Sequence, residues 1–317
     1  MQTYVNFQTA FAEFCNEPLA MLSSAIEQLR AKGPTHPDER QRRADAFLLR
    51  VRAAVGLEMP DAAAVTRRGD GVIMAGRTAI IPVFGVIDKR SGEYGDVSTD
   101  AIGASLDSLV ADRQVRNIVG VFDTPGGSVA GVQELGEKWR AARDHKNTIA
   151  IASPMAASAG YWLAAQSAEV VAEPSAQVGS VGVISMHVDM GKALEQAGYK
   201  VTLITSSKYK GEGHPFGPLG EEATGDRQAK VNHYDAAFVE ALAKGRSTTA
   251  HKVEKHFGEG RMLTPDAAKE RGMIDRVATF EQVMHRLGAE SAVQSRKIEA
   301  AKTAALIALE MANAGTY

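Results

Sequence analysis

The sequence is poor in whatever would place it in a specialised class. It has a single cysteine, Cys15, in 317 residues, so no internal disulfide can form, and no His/Cys cluster at zinc spacing accompanies it. A reducing compartment suits such a chain. No window approaches the roughly 20 apolar residues that span a bilayer. The opening stretch also lacks the basic n-region and unbroken apolar h-region of a secretory signal. The expectation is a cytoplasmic protein without a membrane anchor. Charge of one sign is missing too: 36 Lys and Arg against 38 Asp and Glu leave a net charge of −2. No basic block is long enough to follow a phosphate backbone, which argues against a nucleic-acid partner.

What is present is ordinary globular material, 44% hydrophobic and 23% charged, and a length that supports one large domain with appendages or two smaller ones. Residues 1–70 read as an N-terminal helical segment, because Phe7, Phe11, Phe14, Leu19, Met21 and Leu22, and later Ala46, Leu48, Leu49 and Val51, recur near helical spacing. Over residues 71–290 the character changes. Short β-branched runs at 78–83, 117–122, 148–152, 169–172 and 201–205 alternate with helical stretches. Continuous apolar runs of this kind suit strands covered on both faces, joined by right-handed helical crossovers. The class is α/β. Residues 291–317, rich in Ala, Lys, Glu and Leu, read as a C-terminal helix.

Three loops after strands carry residues that a plain connector does not need. The first is Asp123-Thr124-Pro125-Gly126-Gly127-Ser128. Its glycines let backbone approach a ligand closely, and amides at a helix start attract negative charge. It could hold an oxyanion or a phosphate, or simply be a tight turn; no Gly-Lys-Ser/Thr follows, so it is not a P-loop. The second places Ser158 between Ala157 and Ala159, with Gly160 next. Small neighbours leave room for an acyl group on a sharp elbow, although a helix N-cap is the simpler role for one serine. The third is Ser206-Ser207-Lys208-Tyr209-Lys210-Gly211-Glu212-Gly213-His214. A lysine there is either a solubilising cation or, once desolvated, a base. His187 and His214 lie nearest these loops and offer an imidazole alternative.

Together, Thr124-Pro125-Gly126-Gly127-Ser128, Ala157-Ser158-Ala159-Gly160-Tyr161-Trp162, Gly179-Ser180-Val181-Gly182-Val183 and Ser207-Lys208-Tyr209-Lys210 resemble the signal peptide peptidase A type of serine peptidase, including its phage prohead protease branch. The resemblance covers about residues 75–285. It implies a crotonase- and caseinolytic-protease-like core of stacked βαβ units, with Ser158 as nucleophile and Lys210 as general base of a Ser-Lys dyad. Gly127 and Ala159 would supply oxyanion amides, and Gly126 and His214 would border the substrate. No metal or cofactor is implied. The partners implied are a peptide or protein substrate, such as phage scaffold and capsid proteins, and further copies of the chain in a ring whose dyad forms in cis or in trans. The alternatives are a cytosolic signal-peptide-peptidase-like protease, a crotonase-type acyl-CoA enzyme and a non-catalytic capsid assembly protein.

Overall fold

The protein is described from a computed structural model, which covers residues 18–21, 26, 37–56, 65–90 and 96–288. In chain order the elements are β1 (Leu19–Met21), α1 (Pro37–Gly56), β2 (Thr66–Arg67), β3 (Ile73–Ala75), β4 (Thr78–Phe84), β5 (Ile87–Asp88), β6 (Val97–Ser98) and α2 (Thr99–Ala111). There follow β7 (Asn117–Thr124), β8 (Gly126–Ser128), α3 (Val132–Ala142), β9 (Asn147–Ala157), α4 (Ala159–Ala164), β10 (Glu169–Ala172), β11 (Gln177–Gly179) and α5 (Gly191–Gln196). The last are α6 (Glu221–Gly245), α7 (Ala250–His256), β12 (Met262–Leu263), α8 (Pro265–Glu270) and β13 (Arg276–Val277).

The main sheet runs β12-β11-β9-β7-β4-β3-β2, with β10 joining β9 to β13. Its centre is parallel: β4 pairs with β7, β7 with β9, and β9 with both β10 and β11. The apolar runs at 78–83, 117–122, 148–152 and 169–172 are two-faced strands as expected. Ile118, Phe122, Ala150, Ala152 and Val170 point into a core shared with α2, α3, α4 and α6. Their neighbours Val119, Val121, Ile149, Ile151 and Val171 point the other way, against Phe47, Val51 and Phe280. Alternate residues of a strand face opposite sides, so both sides of these strands are dry. Trp162 of α4 stacks on Phe238 of α6 with centroids 4.4 Å apart. Trp139 donates its indole N–H to Ser167 Oγ at 3.0 Å, so its polar atom is satisfied in the core.

A second, small sheet runs β1-β8-β5-β6. It folds the Gly126–Ser128 strand between Ile87 on one side and Leu19–Met21 on the other.

Two expectations from the sequence need correction. Leu19–Met21, spaced as part of a helix, form strand β1 instead, because β8 offers an unpaired edge that captures them. The run 201–205 is an exposed loop rather than a strand, with Ile204 92% exposed. Among the described residues this run pairs with no strand. Phe7, Phe11, Phe14 and Leu22, and the C-terminal helix expected over 291–317, lie outside the described residues. Among the described residues no helix is long and apolar enough to cross a membrane.

Candidate active site

Two strand ends and one loop build the site. At the end of β7, fully buried Thr124 accepts the Gly126 N–H on its hydroxyl at 3.1 Å. That bond folds the chain over Pro125 into β8, with Gly126 at φ +97°. Position 127 has no space for a side chain, since a Cβ there would stand 1.8 Å from the Ile87 carbonyl oxygen. Glycine is what allows the β8 backbone to run so close to β5. Just before this turn, burial pushes the Asp123 carboxyl above its usual range, against the opposing charge of Arg43.

The neighbouring strand β9 ends at Ala157, and Ser158 breaks its direction with φ +52° and ψ −116°. A non-glycine residue in that region is strained by about 1–3 kcal/mol. The strain is held in place from several sides. Ser158 N–H donates to Gly179 O at 2.8 Å, Ser158 O accepts Trp162 N–H at 2.8 Å, and α4 behind it is buried throughout. Gly160 lies so close to β7 that a Cβ on it would come within 2.3 Å of Thr124 Cγ2. The glycine turn and the serine elbow are therefore one packed unit. Ser158 occupies the N-cap position of α4 but makes no side-chain capping bond there; its hydroxyl instead donates to Gly182 O at 3.4 Å. The N-cap reading is thereby set aside. The Ala159 N–H belongs to the first turn of α4, whose donors a helix does not use itself.

The segment 179–183 forms the opposite wall. Gly179 has φ +131°, and a Cβ on it would meet Arg261 O at 2.5 Å. Ser180, also left-handed at φ +53°, donates its N–H to the same carbonyl at 3.0 Å. Sequence reasoning gave this segment no role beyond its place in the resemblance, and Thr124 likewise. Their part is visible only in the contacts, because any β-branched or small residue fits the pattern equally well.

Ser158, Gly126, Gly127 and Ala159 come together. Lys210 and His214 do not join them within one chain. Lys210 lies exposed in the loop after residue 205, its N–H donating to Ser207 O at 3.3 Å, and its ammonium makes no hydrogen bond with Ser158. The adjacent Lys208 is taken by Glu222 at 2.6 Å. His214 Nδ1 accepts the Phe216 N–H at 3.1 Å and its ring stacks on Phe216. His187 bonds Gly217 O at 3.0 Å. Neither imidazole hydrogen-bonds Ser158.

Residues 140–294 match Peptidase family S49. The chain is 32% identical over 204 residues to the head-tail preconnector protein GP5 of Enterobacteria phage P21, covering 63% of this chain and 40% of that protein. It is 31% identical over 169 residues to the capsid assembly protease C of Escherichia phage lambda, covering 52% and 38%. A putative protease of Methanocaldococcus jannaschii is 29% identical over 182 residues, with 57% and 58% covered. The chain thus spans between 38% and 58% of the length of these relatives. The elbow serine lies inside the residues that match Peptidase family S49, and the glycine turn that precedes them packs against it.

Proposed function

We propose that this chain is a serine endopeptidase in which Ser158 attacks the peptide carbonyl, Lys210 is the general base, and the Gly127 and Ala159 amides hold the oxyanion. The observation that carries this reading is the Ser158 backbone. A buried serine forced to φ +52° at a strand-to-helix elbow, without a capping bond, spends stability on something other than structure. Each oxyanion donor typically contributes on the order of 3 kcal/mol in the transition state. The lysine would accept the Ser158 proton, deliver it to the leaving amine and then activate water.

Lys210 is exposed in its own chain, so we place the working dyad in an assembly of copies. The loop that bears Lys210 also leaves Val201, Leu203, Ile204 and Phe216 exposed. An apolar surface beside the base is what a neighbouring copy would cover. Such docking would withdraw the ammonium from water, the condition under which a lysine serves as a base.

Two relatives are named for the phage head, and we propose scaffold or capsid proteins as the substrate class. A serine-reactive phosphonate probe applied to the assembled protein tests the first claim. Phosphonylation mapped to Ser158 supports it, and no labelling would leave a non-catalytic assembly protein. Co-expression with scaffold and capsid proteins tests the second. If these stay intact while unrelated peptides are digested, head maturation is not the role.

A further inference from the structure

Strand β1 lays this chain's own backbone along β8, beside Ser158. Leu19, Ala20 and Met21 stand opposite Ser128, Gly127 and Gly126 in antiparallel register. Val129 N–H donates to Pro18 O at 3.3 Å, which makes 18/129 a hydrogen-bonded pair. Alternation along an antiparallel ladder makes Ala20/Gly127 the next such pair. Between them, Leu19 turns its backbone to the opposite wall, donating to Ile184 O at 2.9 Å and accepting from Ile184 N–H at 2.9 Å. Residues 18–20 are therefore gripped from both sides as an extended peptide in a cleft between 126–129 and 184. Leu19, Ala20 and Met21 are 0%, 0% and 3% exposed.

The register decides what this strand is doing. Pairing with Gly127 turns the Ala20 carbonyl toward the amide assigned to the oxyanion; a slip of one residue would turn it to the opposite wall. The Ala20 carbonyl oxygen, Met21 Cα and Ser158 Cβ converge on one point, lying 2.1, 3.0 and 3.0 Å from where a Cβ on Gly126 would stand. The Ala20–Met21 peptide thus lies beside the Ser158 side chain with its carbonyl toward the amide proposed for the oxyanion, the side on which a scissile carbonyl would sit.

We infer that Ala20–Met21 is a self-processing site, with residues 18–20 bound as the acyl side of the chain's own substrate. The inference rests on the reading of Ser158 as nucleophile. In the step, Ser158 Oγ adds to the Ala20 carbonyl carbon and gives its proton to the base. The base passes that proton to the Met21 nitrogen as the C–N bond breaks. An ester joins Ser158 to Ala20 until water hydrolyses it, leaving a carboxylate on Ala20 and restoring the hydroxyl. The closed surroundings of Ala20 also set a preference: a small residue before the cut, preceded by an apolar one in the enclosed Leu19 position.

The test follows intact mass and N-terminal sequence of the full, assembled chain over time at mildly alkaline pH, with casein digestion measured in the same samples. Wild type should convert to a species beginning at Met21, and Ser158→Ala should not. Ala20→Trp, which cannot enter a fully enclosed position, should slow conversion at least tenfold while casein is still digested, showing that the variant is folded. Wild type that digests casein yet keeps the 20–21 bond, or cuts itself elsewhere, overturns the inference and leaves the peptidase reading standing. A chain that cuts neither itself nor casein overturns both. Unchanged conversion of Ala20→Trp would overturn the assigned register.

Discussion

At Ser158 the demands of folding and of chemistry pull apart. The residue sits at φ +52° inside a wall of backbone bonds and alanines, a conformation that glycine adopts without strain. Ser158→Gly should therefore raise the unfolding free energy, by about 1–2 kcal/mol, while removing the proposed nucleophile. Ser158→Ala keeps the strain and also loses the hydroxyl. Both variants should lower kcat/KM by roughly 10⁴-fold or more, and only the glycine variant should gain stability in urea titration. Equal stability of the two would show that the elbow is not strained. The residue type was legible in the sequence, because small neighbours around a serine fit an elbow. The strain was not, since a left-handed serine leaves no mark in composition or spacing. Gly127 was legible for a related reason: close backbone approach restricts a position to glycine whatever the fold. Lys210 could be named only through the resemblance, and its exposure follows from a loop that the described residues do not cover.

Among the elements, parallel strands were the easiest to read because burial on both faces leaves unbroken apolar runs such as 117–122. Edges were the hardest. The same composition at 201–205 stays in solvent, and helical spacing at 19–22 conceals a strand, because pairing at an edge depends on which partner is nearby rather than on local pattern. Within β7, Gly120 interrupts the run for a reason that the contacts supply: a Cβ there would lie 2.7 Å from Trp139 Cζ2 and 2.8 Å from Phe122 Cε2. Gly120→Ala should push α3 away from the sheet and cost about 1–3 kcal/mol, read as a lower denaturation midpoint with the elbow's chemistry intact. A second contact ties α6 to β10. Arg246 donates to Asp275 at 2.6 and 2.9 Å, and Asp275 also accepts the Val170 N–H at 2.7 Å. Burial alone would raise this carboxyl, but the Arg246 and Val170 hydrogen bonds hold it below its usual range. A carboxyl depressed on folding contributes stability above its unfolded pKa, about 3.9, and loses it as pH falls through the folded value. Asp275→Asn should accordingly lower Tm at neutral pH, and its Tm should converge with that of wild type as acid protonates Asp275. A gap that persists at low pH would place the effect in packing instead.

Across the whole molecule, the proposed nucleophile and the proposed base have opposite surroundings. Ser158 is wholly buried between β8, β9 and the 179–183 wall, whereas Lys210 stands in solvent on an apolar loop. On the proposed reading, a single copy holds the oxyanion amides without a base at hand, and association supplies what is missing if the loop of one copy reaches the elbow of the next. Ser158→Ala and Lys210→Ala proteins should each be inactive alone. When the two are mixed, dissociated and reassembled, some interfaces join an intact serine to an intact lysine, and peptide cleavage should rise on the order of 10³-fold above either variant. The recovered rate should fall on dilution as copies separate, because association is governed by mass action. Recovery after mixing is the mark of a dyad shared between copies. If reassembled mixtures remain as inactive as their components while wild type assembled in the same way is active, the loop must fold back onto the elbow of its own chain, and the apolar residues at 201–204 would be covered from within.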